Sequence, residues 1–142
     1  MLDKTPSPAL RSDQQPLVVV VEDHADSREM YVHCLAMSGF RTAEAGNGQD
    51  AIRLAVELRP DLIVTDLSLP GLDGCEVIGR LKADVATRDI PIIALTAHAD
   101  LTSALRARQA GCNVFLAKPC LPDALVAEIN RVLSLGDRAR PS

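Results

Sequence analysis

Aromatic residues are almost missing from this chain, which has no tryptophan, one tyrosine and two phenylalanines. Its core must therefore be packed with Val, Leu, Ile and Ala. Hydrophobic residues still make up 47% of the chain, a share that suits a globular protein and argues against disorder. No apolar run approaches the roughly 18 residues of a membrane span. Near the N-terminus Pro6, Pro8 and Asp13 interrupt any apolar segment, so no signal peptide is expected. Positive charge is scarce as well: 15 Lys and Arg face 19 Asp and Glu, for a net charge of −4. With no basic stripe, direct nucleic-acid binding is not favoured. The four cysteines, Cys34, Cys75, Cys112 and Cys120, form no C-x-x-C pair and no metal-finger spacing. Small buried or half-buried thiols in a reducing cytoplasm account for them. No internal repeat and no low-complexity block occurs.

What the chain does contain is a regular alternation. Residues 1–16, polar and rich in Pro and Ser, read as a mobile tail. Leu17-Val18-Val19-Val20-Val21 is a short apolar strand that stops at Glu22-Asp23. A helix follows, started near Asp26 or Ser27, with Met30, Val32, Leu35 and Met37 as its apolar residues and Gly39 as its stop. Arg41 to Ala45 is half polar and fits an outer strand. Asn47-Gly48 makes a turn, and Asp50 to Arg59 carries Ala51, Ile52, Leu54, Ala55 and Leu58 at helical spacing before Pro60. Next comes Asp61-Leu62-Ile63-Val64-Thr65-Asp66, whose branched apolar run suits a strand buried on both faces. Pro70-Gly71 and Asp73-Gly74 then turn the chain sharply.

The alternation continues to the end. Cys75 to Lys82 reads as a helix, and Ile90 to Thr96 as a buried strand with Pro91 near its start. Asp100 to Ala110 is a helix with a thin apolar face of Leu101, Ala104 and Leu105. Asn113 to Ala117 is the fifth strand, and Leu121 to Leu135 the last helix, through Leu125, Val126, Ile129, Val132 and Leu133. Residues 136–142 read as a short charged tail. Five strands alternating with five helices imply a parallel sheet covered on both faces, in one α/β doubly wound domain over residues 17–135.

Four of these strands end in reactive chemistry: Glu22-Asp23, Asp66, Thr96 and Lys118. In a parallel sheet those ends share one edge, with neighbouring strands about 5 Å apart. Asp66 thus stands at the mouth of the crevice where open α/β sheets collect ligands. Three crowded carboxylates repel one another, and a hard divalent cation offsets that repulsion. Glu22, Asp23 and Asp66 therefore read as a Mg²⁺ site awaiting a phosphoryl group. Lys118 can anchor Asp66 and neutralise a phosphoryl oxygen, and the Thr96 hydroxyl can donate to another. A carboxylate held between Mg²⁺ and Lys stays ionised and can act as a nucleophile. Each residue also has a plainer reading: Asp66 as a turn cap, Glu22-Asp23 as a helix-cap pair, Thr96 as an ordinary strand terminus, Lys118 as a surface residue. His24, His33 and His98 share no ligand spacing and read as structural or exposed.

Taken together, Glu22-Asp23, Asp66 before Ser68-Leu69-Pro70-Gly71-Leu72-Asp73-Gly74, Ala94-Leu95-Thr96-Ala97 and Phe115-Leu116-Ala117-Lys118-Pro119 resemble the receiver domain of bacterial two-component response regulators. The resemblance covers residues 17–135 and implies a flavodoxin-like sheet in the order 2-1-3-4-5. It implies Asp66 as acceptor of a phosphoryl group from a histidine kinase or a histidine phosphotransfer protein. It implies Mg²⁺ held by Glu22, Asp23, Asp66 and the backbone carbonyl of Ser68, and phosphoryl contacts from Thr96, Ala97 and Lys118. Thr96 and Phe115 would be the switch pair, and the fourth helix, fifth strand and fifth helix the surface offered to a downstream protein. No enzyme is implied beyond self-catalysed phosphorylation and dephosphorylation.

Departures from the family pattern are few. The acid pair is Glu-Asp rather than Asp-Asp, Ser68 stands where a larger residue is often found, His98 lies two past Thr96, and Phe115 lacks a hydroxyl. Only seven residues follow Leu135, so a single-domain regulator in the cytoplasm, acting through protein contact, is expected. Three rivals stand beside it. A degenerate receiver would serve only as a docking module. A haloacid-dehalogenase-like phosphatase would want a second acid where Ser68 stands. A flavin-binding module would want a Gly- or hydroxyl-rich loop where Glu22-Asp23 stands.

Overall fold

The computed structural model describes residues 15–139. Its strands are β1 (Leu17–Val21), β2 (Arg41–Ala45), β3 (Leu62–Asp66), β4 (Ile92–Thr96) and β5 (Val114–Ala117). They alternate with helices α1 (Ala25–Met37), α2 (Gly48–Leu58), α3 (Gly74–Ala83), α4 (Leu101–Ala110) and α5 (Pro122–Ala139). All strand pairs are parallel, in the order β2-β1-β3-β4-β5, the sheet that the family resemblance implies.

Strand alternation sends side chains to two cores. Val19, Val21, Ile63, Ile92 and Ala94 point to the face covered by α2 and α3, where Ala51, Ala55, Val77, Ile78 and Leu81 meet them. Val18, Val20, Leu62, Val64, Ile93 and Leu95 point to the opposite face, against Tyr31 and Leu35 of α1 and Leu125, Ile129 and Val132 of α5. Both faces of β1, β3 and β4 are thus dry, which is why those strands carry apolar runs without polar alternation. β2 lies at an edge and keeps its polar residues.

Several boundaries and faces differ from the sequence reading. α1 starts at Ala25 with His24 as its N-cap, and no side chain caps it. Met30 and Met37 are exposed, and Tyr31 takes the buried place between them in sequence. Asn47 caps α2 by accepting from Asp50 N at 2.9 Å, so that helix begins two residues before Asp50. β4 begins at Ile92, because Pro91 has no N–H to give the ladder. α5 continues to Ala139, past Leu135 where its apolar stripe ends. Of the expected N-terminal tail, residues 1–14 lie outside the described span, as do residues 140–142. Among the described residues, no helix is long and apolar enough to cross a membrane.

Register aligns the ends that matter. Val21 pairs with Thr65, Asp66 with Leu95, and Thr96 with Ala117. Hydrogen bonds run one step beyond each strand, from Glu22 N to Ala45 O, Leu67 N to Leu95 O and Lys118 N to Thr96 O. Glu22 and Lys118 are therefore held by ladder bonds beside Asp66, the last residue of β3, at one edge of the sheet.

Candidate functional site

Lys118 is the hub of that edge. Its Nζ donates to Asp66 Oδ2 and to Glu22 Oε1, each at 2.7 Å. Glu22 and Asp66 are buried, at 2% and 4% exposure, while Lys118 is only partly exposed. Burial by itself lowers the Lys118 pKa. Hydrogen bonds to Asp66 and Glu22, and the charges they carry, outweigh it and raise the pKa above the ordinary lysine value. The ammonium is thus fixed in its charged form.

The remaining oxygens are also assigned. Asp66 Oδ1 accepts from Ser68 N at 2.9 Å, the first turn of the loop that Pro70-Gly71 completes, where Gly71 adopts φ 76°. Thr65 Oγ1 donates to the Asp66 carbonyl at 3.0 Å and steadies the strand end. Glu22 Oε2 accepts from His24 N at 3.2 Å, and His24 Nδ1 lies 3.2 Å from the same oxygen. Asp23 Oδ1 is buried and has no hydrogen-bond partner among the described residues. A buried carboxylate oxygen without a donor costs free energy unless a cation meets it.

Two contacts at this edge were not anticipated. His24 lies within 3.3 Å of Asp23 Oδ1, and one donor atom each from Glu22, Asp23 and His24 falls within 4.8 Å of the others. The sequence reading set His24 aside because it shares no spacing with His33 or His98. Its place directly after the acid pair was the usable signal. Arg28 donates from Nη1 to the Glu22 carbonyl at 2.7 Å and from Nε to Glu44 at 3.1 Å. It pins the backbone of the acid pair to α1 and β2. Nothing local in the sequence points to that role.

The other expected residues sit around this hub. Thr96 is buried, and its Oγ1 accepts from His98 N at 3.0 Å. Ala97 is exposed. Phe115 is half-buried against the core beneath α2 and α3. Ser68 and Thr96 line a cleft of about 570 Å³, and Arg106 and Asp73, which meet at 3.3 Å in an exposed contact, line it too. Asp66 joins the acid group through Lys118 rather than through the compact Glu22, Asp23 and His24 set. At Ser68, the described contact with Asp66 is made by the backbone N–H.

A parallel sheet whose carboxyl edge gathers a buried Asp, an acid pair and a bridging Lys defines a receiver domain, and the chain belongs to the response regulator receiver domain family, whose model matches residues 18–130. The chain is 40% identical over 116 residues to the phosphate regulon transcriptional regulatory protein PhoB of Pseudomonas aeruginosa, covering 82% of this chain and 51% of that protein. It is 38% identical over 120 residues to the DNA-binding response regulator MtrA of Mycobacterium leprae, covering 84% and 52%. The chain thus spans about half the length of these curated relatives. Among solved structures, chemotaxis response regulator CheY4 of Vibrio cholerae superposes with a TM-score of 0.80 at 26% identity, over 84% of this chain and 99% of that one. The receiver domain of a sensor histidine kinase from Pseudomonas aeruginosa matches with a TM-score of 0.74 at 34% identity, over 84% and 94%. That structure holds a magnesium ion coordinated in its active-site cleft.

Proposed function

We propose that Asp66 accepts a phosphoryl group from a histidine kinase or a histidine phosphotransfer protein, with Mg²⁺ as cofactor. The observation that carries this reading is the Lys118 bridge, 2.7 Å to each of two buried carboxylates. In the transfer a carboxylate oxygen of Asp66 attacks phosphorus. The phosphorus–nitrogen bond to the donor imidazole breaks, and its electron pair leaves with the imidazole. Lys118 holds Asp66 Oδ2 in place before attack and stands where negative charge builds up on the phosphoryl oxygens. Ser68 N orients the carboxylate from the loop side. Thr96 uses its oxygen as an acceptor for His98 N, so its hydroxyl proton is available to a phosphoryl oxygen, with Ala97 beside it.

The donor set fits a divalent ion. Asp23 Oδ1, buried and unpartnered, is the oxygen such an ion would satisfy, and Glu22 and Asp23 would hold it beside Asp66. When bound, the ion neutralises charge on the transferred group. No turnover of a separate substrate is assigned; the chain catalyses its own phosphorylation and dephosphorylation at most. We read the response as a protein–protein one, with Thr96 and Phe115 as the switch and α4, β5 and α5 as the output surface. Supporting this, Leu101, Leu105 and Leu121 stand 75%, 50% and 71% exposed, and α4 buries only Ala107. A helix held by so little packing shifts at small cost. Four unpaired cysteines suit work in the cytoplasm.

Incubation with acetyl phosphate and Mg²⁺ should add one phosphoryl group per chain, read by intact mass and released by hydroxylamine. Asp66→Asn should take up none. Equal labelling of parent and variant would overturn the assignment, and no labelling of the parent would favour a docking role without phosphorylation.

A further inference from the structure

His24 makes contacts that its position in the helix does not require. Its carbonyl accepts the first bond of α1 from Arg28 N at 2.9 Å, and its N–H donates to Glu22 Oε2, so the backbone is tied on both sides. The side chain does no capping and stands 75% exposed. Yet the ring nitrogen Nδ1 is turned back towards the acid pair, 3.2 Å from Glu22 Oε2 and 3.3 Å from Asp23 Oδ1. The second of these contacts lacks hydrogen-bond geometry and leaves Asp23 Oδ1 unpartnered.

Those separations suit neighbouring ligands of one ion. Adjacent vertices of an octahedron with bonds of about 2.1 Å lie about 3 Å apart. We propose that His24, through Nδ1, is a further side-chain ligand at this cation site and biases it towards borderline ions such as Co²⁺ and Zn²⁺ relative to Mg²⁺. The proposal rests on the reading that Glu22 and Asp23 hold a divalent ion. An all-oxygen set suits Mg²⁺, which dehydrates reluctantly and gains little from a nitrogen donor. Imidazole raises the affinity of later first-row ions, in the usual order of their complexes. The exposed ring can complete such a site without leaving any packed position. If it served only as a hydrogen-bond donor to Glu22, its removal would move all cations alike.

Calorimetric titration of the full chain with MgCl₂ and with CoCl₂ tests this, with the Co²⁺ absorption spectrum as a second readout. His24→Ala and His24→Asn should each weaken Co²⁺ binding by about tenfold or more and alter the visible Co²⁺ bands, as loss of a ligand does. Mg²⁺ binding should change by less than about threefold. Asp23→Asn should abolish tight binding of both ions. Equal shifts for Co²⁺ and Mg²⁺ in both His24 variants, or an unmoved Co²⁺ affinity, would overturn the role of His24 and leave the site itself standing. If Asp23→Asn bound both ions as the parent does, the cation site would lie elsewhere and both readings would fall.

Discussion

Replacing Lys118 with Met removes the one cation among the described residues that touches both buried carboxylates. Asp66 Oδ2 and Glu22 Oε1 each lie 2.7 Å from the same nitrogen, so they cannot be farther apart than about twice that distance. Two unit charges at that range repel by roughly 3 kcal/mol at an effective permittivity of about 20. Removing one partner of a buried ion pair typically costs about 3–5 kcal/mol, and partial access of water to Lys118 moves the expectation to the lower end. Lys118→Met should therefore lose about 3 kcal/mol of unfolding free energy, measured by urea denaturation at pH 7 with chelator present, and about 10 °C in Tm. Millimolar Mg²⁺ should restore more stability to the variant than it adds to the parent, because the ion then meets two uncompensated charges. Adding Glu22→Gln to Lys118→Met should recover part of the loss by removing the repulsion. A loss below about 1 kcal/mol would refute the reasoning, since the two acids would then tolerate one another without the bridge.

Two further outcomes follow from the same geometry. Because folding raises the Lys118 pKa, its contribution is complete below the ordinary lysine value of 10.5 and is lost as pH climbs through the raised folded value. The difference in urea midpoint between the parent and Lys118→Met should therefore shrink as pH is raised above 10.5, and a difference that stays constant would contradict the assigned protonation. Gly74→Ala would place a Cβ 2.5 Å from Leu67 Cα and 2.6 Å from the Asp66 carbonyl oxygen, both backbone atoms that cannot swing aside. It should cost about 2–3 kcal/mol and slow phosphorylation by acetyl phosphate, and full stability in denaturant would show that the loop yields freely.

Most of the polar sheet edge was legible because the signals are local. An apolar run ending in acid names its own strand and its own terminus, so Glu22, Asp23 and Asp66 were readable one strand at a time. Lys118 before Pro119 was readable in the same way. The cover of β1, β3 and β4 followed from their lack of polar alternation. The thinness of the apolar face of α4 was visible, but its residues were not: Leu101 and Leu105, read as that face, are exposed, and Ala107 is the residue α4 buries. Met30 and Met37 misled, because apolar character alone does not say which side of α1 meets the sheet. Arg28 was invisible: its partners, the Glu22 carbonyl and Glu44, belong to two other elements.

The amino-acid order thus determined which segments become strands, where each strand stops and what chemistry stands at the stop, because backbone propensity, turn residues and apolar runs act over a few neighbours. Only the folded chain decided which oxygen meets which nitrogen. Register and helix packing brought residues 22, 66 and 118 onto one ammonium, turned the His24 ring towards the acids and left Asp23 Oδ1 without a donor. Those distances depend on how separate elements dock, and docking is set by the whole core at once.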